Sequence, residues 1–330
     1  MVATSPAVWT KKDLIGIREL SRAEIELILD TAPQFLAVSK RVSGIKKVPL
    51  LQGRLVVNWF HEPSTRTRTS FELAAKRLSA DTLSIAASSS SSVKGETLHD
   101  TLANIEAMST DIIVLRHGCA GAPHILAADH ASHIINAGDG RHEHPTQALL
   151  DAFTMREALR VQRQDPTLSL EGMKVALIGD IEHSRVARSN IHALTRLGAS
   201  VTLCGPVTLL PAGAERLGVS ITTQMREALA DVDVIYSLRI QLERQSRGLF
   251  PSIREYVKMF RIDSNSLRFA PDDAIVMHPG PINRDLELST EVADGPRSVI
   301  LQQVTNGVAV RMAIMHLLAN SSGASRVRKP

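Results

Sequence analysis

The 330-residue sequence contains only two cysteines, Cys119 and Cys204. Two are too few for a disulfide framework or a thiolate metal site, so a reducing, cytoplasmic setting is the expectation. Aromatic residues are only 3% of the chain, which leaves little material for the stacking platforms of single-strand nucleic-acid binders. No apolar run approaches the roughly 18 residues that span a bilayer, and no basic segment leads into an apolar core at the N-terminus. Neither membrane insertion nor export is expected. Internal repeats are absent, and the one low-complexity feature is the five-serine run Ser88 to Ser92, which reads as a loop. Outside Arg326-Val327-Arg328-Lys329 there is no dense basic run, so the net charge of +4 suits small anionic substrates at least as well as nucleic acid.

What is present describes an ordinary globular protein: 44% hydrophobic and 22% charged residues, with 19 glycines and 15 prolines. The length is about twice that of a usual domain, so two compact domains of roughly 150 residues are expected. Short β-branched runs alternate with segments of helical period, the pattern of parallel sheets flanked by helices. In the first half the predicted strands are 55–60, 83–87, 112–115 and 134–136, with helices over 64–79 and 97–109. In the second half they are 175–179, 201–204, 234–238 and 275–277. An amphipathic stretch from Pro145 to about Arg163 bridges the two sheets. A second, Gly307 to Ala319, follows the last strand and is expected to pack back on the first domain. The fold class is therefore α/β, with two domains, each an open, mostly parallel sheet, linked by interdomain helices. The expected boundaries are 1–147, completed by about 305–330, and 148–304.

The densest chemical signal is the run from His61 to Glu72, directly after a predicted strand. Ser64 is read as the N-cap of a helix starting near Thr65, and Phe71, Ala74, Ala75 and Leu78 form its apolar stripe. The first-turn N–H groups would then point outward at the C-terminal edge of a sheet, where open α/β sheets bind ligands. Arg66 adds a guanidinium fork, and Ser64, Thr65 and Thr67 add hydroxyl donors, together suiting a phosphate. The alternative is a capped helix with Arg66 and Arg68 merely solvated. Against it, two arginines in a first turn oppose the helix dipole, a conflict that a bound anion removes.

Three motifs in this order, Ser-Thr-Arg-Thr-Arg at 64–68, His-Pro-Thr-Gln at 144–147 and His-Pro-Gly-Pro at 278–281, resemble the signature of the carbamoyltransferases, and specifically of the catalytic chains that use aspartate. The resemblance spans nearly the whole chain. It implies transfer of a carbamoyl group from carbamoyl phosphate to the amine of L-aspartate, in pyrimidine synthesis, with no metal and no organic cofactor. Carbamoyl phosphate would bind first and domain closure would follow. By motif, Ser64, Thr65, Arg66 and Thr67 are similar to the family's phosphate cradle, with Thr67, Arg116 and His144 on the carbonyl oxygen and Gln147 on the carbamoyl NH2. Backbone carbonyls around Pro279, Gly280 and Pro281 would accept from that NH2. Gly280 stands where some members carry leucine, so only backbone roles transfer there.

Arg185, Arg239 and Gln241 match the family's pattern for holding aspartate, with Arg188 a competitor for Arg185. Lys94 resembles a lysine that enters a neighbouring subunit's site together with a serine of the same loop. Ser90 is the candidate, although the serine run leaves that alignment open. The resemblance thus implies a homotrimer as the minimum working unit, to which regulatory chains or a dihydroorotase could attach. Two other readings compete: a carbamoyltransferase for another amine such as ornithine, and a non-catalytic anion or nucleic-acid binder. Thr146 and Gly280 count against ornithine. A nicotinamide enzyme is set aside, because Gly179-Asp180-Ile181 is not followed by the required glycines.

Overall fold

The computed structural model describes residues 8–42, 44–86, 96–241 and 252–321. The chain divides into two compact units, one of 1–150 with 305–330 and one of 151–304.

The first unit begins with α1 (Arg22–Ser39), whose start is closed by a capping box between Ser21 and Glu24. There follow β1 (Leu55–Phe60), α2 (Thr65–Arg77), β2 (Asp81–Ala86), α3 (Leu98–Ala107), β3 (Ile112–His117), α4 (Ala122–Asp129), β4 (His133–Asp139) and α5 (Pro145–Gln162). The four strands form one sheet in the order β2-β1-β3-β4, and every pairing is parallel. Val57, Trp59, Ile113 and Leu115 pack one sheet face against Leu102 and Ile105 of α3 and Leu126 of α4.

The second unit contains β5 (Lys174–Ile178), α6 (Arg185–Arg196), β6 (Ser200–Cys204), β7 (Ser220–Thr222), α7 (Met225–Leu229), β8 (Val234–Ser237), α8 (Ile253–Phe260), β9 (Ile275–Met277) and α9 (Thr290–Ala293). Its sheet has the order β7-β6-β5-β8-β9, again all parallel. The last helix, α10 (Ile300–Ala319), carries the second boundary as α5 carries the first. Among the described residues no helix is long and apolar enough to cross a membrane.

The α/β architecture with two parallel sheets is the one the periodicity predicts. The differences lie at short or interrupted elements. The helices α1 and α4 and the edge strand β7 are additional, and α10 begins at Ile300 rather than Gly307. Glycine disfavours helix interiors, which makes Gly307 read as a start. Here it is a packing choice: a Cβ there would lie 2.7 Å from Nη1 of Arg311 and 3.1 Å from Cδ2 of Leu150.

Both sheets reverse direction at an interior strand. Connections leave β1 for β2 on one side and reach β3 on the other, and β5 does the same between β6 and β8. Parallel sheets open a crevice at the carboxyl ends of such strands. At the C-terminal ends of β1 and β3, Phe60 pairs in register with Arg116, the residue before the last of β3, and the C-terminal ends of β5 and β8 are Ile178 and Ser237. Gly179 lets the chain leave β5 close to its neighbour. Its φ is +126°, and a Cβ would lie 2.7 Å from the Leu238 carbonyl oxygen. Gly179→Ala is therefore expected to destabilise the second unit by roughly 1–3 kcal/mol. The measurement is the urea midpoint at unchanged m-value, and an unshifted midpoint would mean that this strand exit relaxes freely.

Candidate active site

At the end of β1 the chain turns through His61, Glu62 and Pro63 into α2. Ser64 occupies the N-cap position, but its side chain makes no capping hydrogen bond, which corrects the expectation of a capping serine. Its backbone pair, φ of −161° with ψ of 89°, differs from those of Ser21 and Thr97, which do cap their helices with φ of −74° and −73° and ψ of 163° and 160°. That first turn holds no acidic residue. The helix start thus presents its positive end with no serine cap and no acid in its own first turn. Thr65 and Arg66 are exposed there, with Ser64 and Thr67 half-buried.

Arg116 is the residue before the last of β3, on the same sheet edge. Its Nη1 donates to the Ala137 carbonyl at 3.1 Å, and its Nη2 lies 3.4 Å from Oε2 of Glu62. The Arg116 carbonyl accepts from the His61 N–H at 2.8 Å. Glu62 is a functional candidate that the spacing of the motifs does not reveal: only the pairing of β1 with β3 brings it to Arg116. His61 lies between Trp59 and His117, tilted against the first and edge-on to the second, at centroid distances of 4.9 and 4.7 Å. Burial, and then repulsion from His117, push the His61 pKa down, which favours its neutral form.

At the end of β4 the buried Asp139 organises the turn to His144. One carboxylate oxygen accepts from Nδ2 of Asn136 at 2.9 Å and from the Glu143 N–H at 3.0 Å, and the other accepts from the Gly121 N–H at 2.7 Å. Glu143 then accepts from the Ile17 N–H at 2.8 Å, tying the N-terminal segment to this turn. His144 is buried, and its carbonyl takes the first α5 bonds, from the N–H groups of Gln147 at 3.0 Å and Ala148 at 3.3 Å. Gln147, also buried, follows in the first helical turn. Ser64, Thr65, Arg66, Thr67, Arg116, His144 and Gln147 thus all stand at the C-terminal edge of one sheet. Ser90 and Lys94 lie outside the described residues.

The second unit repeats the arrangement at its own switch point. Asp180, fully buried after β5, accepts from the His183 ring Nδ1 at 2.7 Å and from the Gln241 N–H at 3.3 Å. It therefore holds the exits of β5 and β8 together. Ser184 caps α6 by accepting from the Ala187 N–H at 3.1 Å. Arg185 is buried in the first turn of α6, while its competitor Arg188 is only half-buried. Arg239 and Gln241 follow β8 and are half-buried. In the turn 278–281 the Gly280–Pro281 peptide is cis. The ring of His278 is committed internally: Nδ1 accepts from the Gly280 N–H at 2.8 Å, and Nε2 lies 3.2 Å from Glu287.

A buried carboxylate, Asp151, connects these segments. It accepts from Asn190 of α6 at 2.9 Å, from the Tyr236 hydroxyl of β8 at 2.6 Å and from Gln303 of α10 at 2.7 Å. Gln303 in turn accepts from the His278 N–H at 3.0 Å. One acid therefore orders the helix of Arg185, the strand before Arg239 and the entry to the Pro279–Pro281 turn. The buried Cys204 thiol is pushed up to about 12, chiefly by desolvation, and supplies no thiolate nucleophile at neutral pH. The arrangement offers donors and cations for stabilising anions, not an activated nucleophile.

Two family models match the chain in order. Aspartate/ornithine carbamoyltransferase, carbamoyl-P binding domain, matches residues 12–157, and the Asp/Orn binding domain matches residues 171–318. The aspartate carbamoyltransferase catalytic subunit of Syntrophus aciditrophicus is 54% identical over 314 residues, covering 95% of this chain and 99% of that protein. That of Geotalea daltonii is 57% identical over 306 residues, covering 92% and 95%. Among solved structures, aspartate transcarbamoylase of Trypanosoma cruzi in complex with N-(phosphonacetyl)-L-aspartic acid aligns with a TM-score of 0.82 at 32% identity, covering 94% of this chain and 97% of that one. Ornithine carbamoyltransferase of Pyrococcus furiosus aligns at 0.81 and 28% identity, covering 94% and 98%. Both halves of one architecture, each with cationic groups at its switch point, coincide with both halves of these proteins, and the chain belongs to the aspartate/ornithine carbamoyltransferase family.

Proposed function

We propose that this chain is an aspartate carbamoyltransferase catalytic chain, which transfers the carbamoyl group of carbamoyl phosphate to L-aspartate, yielding N-carbamoyl-L-aspartate and phosphate for pyrimidine synthesis. The observation that carries the reading is the start of α2, where the Ser64 hydroxyl is not spent on its own helix and no acid offsets the dipole. The relatives that share more than half their residues with this chain bear that enzyme's name.

In this reading the first unit binds carbamoyl phosphate. Ser64, Thr65, Arg66 and Thr67 hold the phosphate, while Thr67, Arg116 and His144 surround the carbonyl oxygen. Gln147 and the backbone carbonyls of Pro279, Gly280 and Pro281 hold the carbamoyl NH2. The second unit binds aspartate, with Arg185, Arg239 and Gln241 on its carboxylates. A bidentate Arg239 gives selectivity for a side-chain carboxylate, which ornithine lacks. The amine lone pair of aspartate attacks the carbonyl carbon, the C–N bond forms, and negative charge gathers on the carbonyl oxygen. Collapse of the tetrahedral intermediate breaks the C–O bond to phosphate, and the amine's proton passes to the departing phosphate. Donors arranged in advance around the oxygen and the phosphate lower the barrier without a covalent enzyme intermediate.

Lys94 and Ser90 reach the site of a neighbouring copy, so a homotrimer is the working unit. It acts in the cytoplasm, and no cofactor is needed for the chemistry. Regulatory chains or a dihydroorotase are its candidate partners.

Product formation from carbamoyl phosphate, with aspartate or ornithine as acceptor, tests the reading directly. Turnover with ornithine alone would overturn it. Arg66→Ala and His144→Ala should each lower kcat by about two to four orders of magnitude with circular dichroism unchanged, and an unchanged kcat removes that residue from the mechanism. Arg239→Ala should act mainly on the KM for aspartate and little on that for carbamoyl phosphate. Equal effects on both would assign it a structural role. Mixing inactive Arg66→Ala chains with inactive Lys94→Ala chains should restore activity through hybrid sites, and persistent inactivity would argue that no site is shared.

A further inference from the structure

A cluster outside the proposed substrate groups has the composition of a metal site. Ligand atoms of His124 on α4, Asp139 at the end of β4 and His142 in the following turn all lie within 4.8 Å of one another. His124 and Asp139 are held from behind. His124 Nε2 lies 2.8 Å from Oε1 of Glu19. The carboxylate is the acceptor of that pair, so Nε2 carries the proton, and in the neutral ring Nδ1 is a bare lone pair. That Nδ1 is buried and has no hydrogen-bond partner. Asp139, with a fully buried side chain, is fixed through one oxygen by Asn136 and Glu143. Its other oxygen accepts from the Gly121 N–H and lies 3.0 Å from Nδ1 of His142. The histidine side chains are 32% and 33% exposed, so the cluster is open to ions from solvent.

We propose that His124, Asp139 and His142 bind a divalent transition ion of the zinc class, completed by water, on the turn that leads to His144. Two imidazoles and one carboxylate match the borderline preference of Zn2+, Co2+ and Ni2+ and not the all-oxygen demand of Mg2+ or Ca2+. Bonds of about 2.0–2.2 Å bring tetrahedral ligand atoms to roughly 3.5 Å apart. Closing from the observed spacing asks for side-chain shifts of about an ångström, which half-exposed histidines can make. The ion gives the buried Nδ1 of His124 its partner. Glu19 behind His124 is the carboxylate–histidine pair that orients a metal-bound ring.

Equilibrium dialysis of the full chain against Zn2+, with elemental analysis, should return one ion per chain, and Co2+ should give the visible absorption of a four-coordinate site. Mg2+ should not compete. His124→Ala and His142→Ala should each weaken Zn2+ binding at least about 100-fold, and Glu19→Gln about 10–100-fold. Circular dichroism identifies any variant that fails to fold, and either histidine variant alone decides the question. Two other thiol or imidazole groups serve as controls: the exposed Cys119, and His130, which stacks on His99 and contacts Glu106. Cys119→Ser and His130→Ala should leave the stoichiometry at one. No bound Zn2+ in the wild-type chain, or a loss that follows His130→Ala or Cys119→Ser and not the two histidines of the cluster, overturns the proposal.

Discussion

The physical constraint beneath this structure is the positive end of α2, without a serine cap or a first-turn acid, set at the carboxyl edge of a parallel sheet. A parallel sheet delivers the C-terminal ends of its strands to one side, and the helix that follows each strand begins there with free N–H groups. Several helices in this chain neutralise that end. Ser21 and Thr97 cap theirs, with Glu24 and Asp100 in the first turns. At α2 the serine does not cap and the first turn holds arginine instead of an acid. A fold selected for stability alone would have no reason to leave that end positive, and an anionic ligand supplies one.

The acids near the site are used for shape. Glu62 lies against Arg116 while the Ala137 carbonyl takes the other branch of the guanidinium, so the fork keeps one orientation at the strand end. Asp139, Asp151 and Asp180 are fully buried and accept from backbone and side-chain donors across neighbouring segments. A buried carboxylate is costly unless its oxygens are satisfied, and a satisfied one locks the groups that satisfy it. In the second unit that locking reaches from α6 to the turn at His278 through Asp151 and Gln303. Loops placed in this way can hold their donors at fixed positions, which is what electrostatic stabilisation of a transient anion requires.

How much could be read in advance follows from how local each signal is. The strands at Leu55–Phe60 and Ile275–Met277 coincide with their predicted bounds, since a short β-branched run between turns is a local pattern. The α2 stripe of Phe71, Ala74 and Ala75 is buried as its spacing requires. The three-residue β7 escapes such reading because an edge strand that short carries almost no period. The first seven residues of α10 escape it because Gly307 resembles a helix boundary until Arg311 and Leu150 are seen to fill the space beside it.

The sequence by itself determined the fold class, the parallel sheets and the residues of the three motifs, because hydrophobic period and motif spacing are properties of adjacent positions. Tertiary structure decided that Ser64 makes no capping bond to its own helix, that Glu62 meets Arg116 and that Asp151 gathers three distant segments. It also placed His124 beside Asp139 and His142. These are pairings between residues far apart in the chain or backbone angles at a turn, and both depend on how strands register and helices settle, which no local period encodes.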